Sequence, residues 1–109
     1  MPSSYKVLGQ SAPSATTDTT LYTVPSATDT VVSTITVSNR GSSSGTFRIA
    51  VRPAGASLAN QHYVVFDAPC AAKDTLALTL GITLDATDVL TVRASSADFS
   101  FNAFGSEIT

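Results

Sequence analysis

The chain is expected to fold as an all-β domain, an antiparallel β-sandwich of seven to eight strands with a jelly-roll-like arrangement. Three observations point there. Short apolar runs recur at regular spacing, turn residues separate them, and no stretch shows a helical period. Alternation is clearest in Thr46-Phe47-Arg48-Ile49-Ala50-Val51-Arg52, where Phe47, Ile49 and Val51 point one way and Thr46, Arg48, Ala50 and Arg52 the other. Val31 to Asn39 is β-branched at nearly every position and suits a strand. A small closed barrel is the alternative architecture.

Taken in order, Met1 to Thr20 reads as a brief strand around Tyr5 to Gln10 followed by an extended polar arm. Residues 21–109 read as one sandwich domain. Leu21 to Val24 is a short strand ended by Pro25, which lacks a ladder donor. Val31 to Asn39 and Thr46 to Arg52 read as one long hairpin, with Val31, Ile35 and Val37 on one face and a mobile tip over Gly41 to Gly45. His62 to Asp67 is apolar on both faces: Tyr63 and Val65 on one, Val64 and Phe66 on the other. Ala68 to Asp74 reads as a turn. Leu76, Leu78 and Leu80 then point inward, and Gly81 permits a bend before Ile82 and Leu84. Val89 to Ala94 and Phe99 to Phe104 close the domain. The expected core is Ile35, Val37, Phe47, Ile49, Val51, Leu76, Leu78, Leu90, Val92, Phe99 and Phe101.

The 109 residues suit one domain. Charged residues make up only 13%, against about 25% in a typical soluble domain. Ser and Thr take their place and keep a surface wet without a strong field. Net charge is -2 and the basic residues are scattered, so no phosphate-binding patch forms and nucleic acid is not an expected partner. No apolar run approaches the ~20 residues of a membrane span, and the first residues lack a signal-peptide pattern. The protein is therefore expected to be made and assembled in a cytoplasm.

No cofactor, metal or catalytic group is expected. His62 is the single histidine and Cys70 the single cysteine. No Gly-x-Ser-x-Gly elbow accompanies His62, which reads as a hydrogen-bonding residue at a strand end. Cys70 reads as a small filler. Asp67, Asp74, Asp85 and Asp88 fall in turns, where aspartate mostly bonds its own backbone; their spacing lacks the ligand density of a calcium loop. The candidate functional residues are instead partner contacts. They are Tyr5, Val7 and Leu8 on the N-terminal segment, Arg48 and Arg52 on an outward strand face, and Tyr63 and Phe66 on a doubly apolar strand that needs cover.

Several segments carry a resemblance: Tyr5-Lys6-Val7-Leu8-Gly9-Gln10-Ser11-Ala12-Pro13, Leu21-Tyr22-Thr23-Val24-Pro25, Phe47-Arg48-Ile49-Ala50-Val51-Arg52-Pro53, Gln61-His62-Tyr63, and Phe101-Asn102-Ala103-Phe104-Gly105-Ser106-Glu107. Together they resemble small accessory virion proteins of tailed phages, of the cyanophage and marine-phage type. The resemblance spans nearly the whole chain and implies a non-enzymatic structural role. It implies a capsid decoration (cement) protein on the outer surface of the virion, bound to the major capsid protein and forming a homotrimer. It also admits a tail, baseplate or fibre-associated protein, or a receptor- or glycan-binding sandwich on the virion.

Overall fold

Nine strands form two antiparallel sheets in a computed structural model that describes residues 2–109. They are β1 (Ser3–Ser11), β2 (Thr19–Thr23), β3 (Asp29–Asn39), β4 (Gly45–Arg52), β5 (Tyr63–Cys70), β6 (Thr75–Leu78), β7 (Ile82–Leu84), β8 (Val89–Ala94) and β9 (Phe99–Ile108). One sheet, here called A, has the order β1-β9-β3-β6, with β7 on the same flank of β3. The other, B, has the order β2-β8-β4-β5. The strands exceed the expected number because Gly81, with φ +66°, breaks one strand position into β6 and β7.

The pairing is nested. β1 pairs β9, β2 pairs β8, β3 pairs β6 and β7, and β4 pairs β5. The chain is thus a long ribbon folded at the β4–β5 connection, and successive pairs fall in opposite sheets. The β3–β9 and β4–β8 pairings then knit each sheet together. This corrects the expected Val31–Arg52 hairpin. β3 lies in sheet A and β4 in sheet B, so the two segments face one another across the core and do not share a ladder. A long, flexible-looking connection suits a crossing between layers as well as it suits a hairpin tip, and sequence pattern does not separate the two.

The core lies between the sheets. Phe47 from sheet B meets Phe99 and Phe101 from sheet A at centroid distances of 6.4 and 6.2 Å, and all three rings are fully buried. Each such side chain contributes roughly 1.5–3 kcal/mol relative to an exposed one. Ile35, Val37, Ile49, Leu90 and Val92 complete the centre, and Val51, Leu76 and Leu78 pack against it part-buried. Val24, Val32, Leu84, Ala103 and Cys70 join the core as well. Gly9 has a specific reason to be glycine: a Cβ there would sit 2.0 Å from the Leu21 carbonyl oxygen, where β1 crosses β2.

Bulges overturn two facing assignments, those of Val31 and of Tyr63. The β3–β9 register shifts between Val32 and Thr34, so Thr30 and Val32 point inward before Ser33, and Ile35 and Val37 after it. Val31 therefore faces solvent. The β4–β5 register shifts twice, and Asp67 sits at φ +50°. As a result Val65 and Ala68 pack on the core, while Tyr63 and Phe66 share the outer face with an edge-to-face contact at 4.9 Å. Leu80 lies beyond β6, next to the Gly81 bend, and is exposed. Nor is Ala68 to Asp74 wholly a turn. β5 runs on through Pro69, which an edge strand tolerates, to the buried Cys70.

Both ends of β3 are tied by polar contacts. At its C-terminal end the buried Asn39 donates from Nδ2 to the Ser43 and Cys70 carbonyls at 2.9 and 3.2 Å and accepts from the Gly41 N–H at 3.0 Å. Arg40 and Lys73 add bonds: Arg40 Nε donates to Ser100 Oγ, and Lys73 Nζ to the Arg40 carbonyl. The segment expected to be a mobile tip is thus pinned to β5 and β9.

Asn39→Ala strands several polar groups at that corner and should cost about 2–3 kcal/mol in a denaturant titration; an unchanged midpoint would refute the pinning role. Thr87 is exposed, β-branched and held at φ +68°, a conformation costly for such residues. Thr87→Gly should raise stability by about 0.5–1 kcal/mol, the relief of that conformation less the added chain entropy.

Candidate partner-binding surfaces

The expected contact residues separate onto the two outer faces of the sandwich. On sheet B, β4 directs Arg48 outward. Its Nε donates to Asp67 Oδ1 at 2.7 Å and its Nη2 to Asp67 Oδ2 at 3.2 Å. This two-pronged grip holds the guanidinium carbon 4.2 Å from the Phe66 ring centroid and 5.9 Å from that of Tyr63. The ion pair raises the Arg48 pKa and holds the Asp67 carboxyl below its ordinary value. Phe66 remains 56% exposed and Val64 beside it is also exposed, so a rigid aromatic–cation platform faces outward. Arg93, directly opposite Arg48 on β8, lies 3.7 Å from Asp18. The cleft between Arg48 and Arg93 is about 150 Å³, and a shallow hollow lined by Asn60, Tyr63 and Phe66 is about 470 Å³.

Arg52 lies on the same face with a different job. It donates to Thr91 Oγ1 at 3.0 Å and to the Ala56 carbonyl at 3.1 Å, strapping the loop after β4 onto the sheet. Ala50 and Thr91 are buried on this side. Arg52 therefore acts within the fold.

On sheet A the register places Tyr5, Ser106 and Val31 in one row, with Val7 and Phe104 in the next. Tyr5 is 87% exposed, and Val7 and Val31 are also open to solvent. Leu8 does not join them. It occupies the β1 bulge between Val7 and Gly9 and turns into the core. Val31, Phe104 and Asp67 were not foreseen as surface partners. The first depends on the β3 bulge. The last depends on a contact across 19 residues, for which the outward Arg48 was the one available signal.

The remaining polar groups are structural. His62 Nδ1 accepts from the Ala59 N–H at 3.0 Å. Burial pushes the Cys70 thiol up, away from the thiolate that reactivity requires. Asp74, Asp85 and Asp88 accept from nearby backbone N–H groups. Among the described residues no group of three or more His, Cys, Asp and Glu side chains is placed to hold a metal ion. Among the described residues no helix is long and apolar enough to cross a membrane.

At the N-terminal end of β3 a polar bridge joins the sheets. Tyr22 from sheet B donates its hydroxyl hydrogen to Glu107 of β9, and its oxygen lies 2.9 Å from Thr30 Oγ1. Lys6 Nζ donates to the other Glu107 oxygen at 2.9 Å. Burial and the adjacent carboxylate push the Tyr22 pKa up to about 12, while the Tyr22 and Lys6 bonds hold the Glu107 carboxyl below its usual range.

In comparisons with known proteins, no family model, no curated protein and no solved structure matches the chain.

The polar bridge sets a pH dependence. Tyr22 binds its proton more tightly when folded than when unfolded. Its contribution is full below its ordinary pKa of 10.0 and disappears as pH rises toward about 12. Thermal melts across this window should fall more steeply for the native protein than for Tyr22→Phe; parallel slopes would refute the bridge. Glu107 works in the opposite sense. Its contribution holds above the ordinary carboxyl value and is lost as pH falls through the lowered one.

Proposed function

We propose that the chain is a structural subunit of a tailed-phage virion that decorates the outside of the major capsid lattice. The observation that carries this reading is the pair of exposed apolar patches on opposite outer faces. Tyr5, Val7 and Val31 mark one, Val64 and Phe66 the other. Exposed apolar side chains grouped on one face are candidate contact sites, and two opposed groups suit a subunit held between neighbours. The low charge of the chain agrees, since charged groups are depleted at interface cores. The nested strand order supports a jelly-roll reading, an architecture found among viral capsid domains. The likeness to phage accessory proteins supplies the biological setting.

In this role the protein spans joints between capsid subunits and adds buried area that resists internal DNA pressure. The Arg48–Phe66 platform is the better anchor for a capsid neighbour, because its aromatic and guanidinium groups are already held in place. Copies gathered at local threefold points of the shell would form trimers. A glycan-binding role on the virion is the second reading, favoured by the exposed Phe66 ring beside Tyr63 and Asn60.

Quantitative mass spectrometry of purified particles tests the proposal. A copy number comparable to that of the major capsid protein is the expected result, and Phe66→Ala should reduce incorporation severalfold while leaving the melting temperature close to native. A copy number matching a tail ring moves the protein to the tail, and absence from particles overturns the virion reading. Binding of the isolated domain on a glycan array, lost in Phe66→Ala, would establish the second reading.

A further inference from the structure

We infer that the free edge of β1 is a self-association site, at which Ser3–Val7 pairs antiparallel with the same segment of a second copy. A sheet edge offers unpaired backbone N–H and C=O groups, and folded proteins usually blunt such edges by shortness, bulges, proline or charge. Three of the four edges of this sandwich are blunted. β2 has five residues and a register shift between Thr20 and Tyr22. β5 carries two register shifts, Asp67 at φ +50° and Pro69. The flank formed by β6 and β7 is split at Gly81 into pieces of four and three residues.

β1 differs. It has nine residues, and its pairing with β9 is regular from Ser3 to Val7, with the bulge confined to Leu8. All five residues of that stretch are exposed. The charge that would protect this edge, Lys6, is drawn onto Glu107 at 2.9 Å. The edge also carries Tyr5, the most exposed large apolar side chain among the described residues.

A second copy fits because the stretch is complementary to itself. Antiparallel pairing about a two-fold axis at Tyr5 sets Ser3 opposite Val7, Ser4 opposite Lys6, and Tyr5 opposite Tyr5. No charge meets its like, and an aromatic cross-strand pair forms at the axis. The two A sheets become one continuous sheet, and the Tyr5–Val31 rows of both copies run on across the join. The contact is isologous and closes at a dimer. It does not depend on the virion reading; in a shell it would act at a local two-fold, between copies belonging to different threefold clusters.

The test is light scattering on the full chain, with two substitutions at the exposed Tyr5. The native protein should shift with concentration from 11.2 kDa toward twice that mass. Tyr5→Lys sets two cations face to face at the axis and should weaken dimerisation at least tenfold, with circular dichroism and melting unchanged. Tyr5→Cys should oxidise to a dimer whose disulfide, mapped by peptide mass spectrometry, joins the two introduced cysteines. A native protein that stays monomeric at millimolar concentration overturns the inference. So does a trimer, or a dimer indifferent to Tyr5→Lys.

Discussion

The packing of Phe47 against Phe99 and Phe101 is the contact on which the rest of the molecule depends. Phe47 belongs to sheet B and the other two to sheet A, so this cluster is where the layers recognise one another. The nested pairing needs such an anchor. β1 and β9 meet across about 100 residues of chain, and closing so large a loop carries a substantial entropic cost. Dispersion and burial at the aromatic centre, with Ile35, Ile49, Leu90 and Val92 around it, offset that cost. β9 transmits the gain outward, because it pairs β3 on one side and β1 on the other along nearly its whole length.

A sandwich held only at its centre would gape at its ends. Here Thr30 and Asn39 mark the two ends of β3, and each lies in a buried polar cluster. The Tyr22–Glu107–Lys6 bridge closes one end and the Asn39 bonds close the other. Among the described residues no buried side-chain nitrogen or oxygen lacks a partner. Buried polar groups fully satisfied in this way specify one arrangement, because any slip leaves them unpaired. The small number of charges in the chain is therefore well used: Lys6, Glu107, Arg40, Lys73 and Arg52 all serve packing or closure.

Bulges decide what the outside offers. Without the shift at Ser33, Val31 would lie in the core and the sheet A surface would lose part of its apolar row. Without the shifts in β5, Phe66 and Tyr63 would sit on opposite sides of the sheet and Arg48 would have no paired rings to rest on. Each bulge adds one residue and reverses the facing of everything beyond it. The outer surfaces follow from these local defects more than from the alternation of the strands that carry them.

Much of the fold was legible in the sequence because side-chain alternation is a local consequence of strand geometry. Phe47, Ile49, Leu90, Val92, Phe99 and Phe101 declared themselves as core by period alone, and Pro25, Gly81 and the Asp-rich turns marked breaks. Of the candidate surface residues, Tyr5, Val7, Arg48 and Phe66 lie exposed or part-exposed on outer faces, Leu8 lies in the core, and Arg52 serves the loop beside it. What a period of two cannot carry is register, partner or layer. Whether β3 and β4 share a ladder or face each other across the core depends on which strands compete for β3, and β9, far along the chain, wins. Whether Val31 is inside depends on one extra residue at Ser33, which local propensity does not mark. The sequence by itself determined that strands form and which side chains seek cover. The tertiary structure alone decided which strands meet and which faces are left open, because those outcomes come from long-range pairing and from bulges whose energy lies in the neighbouring strand.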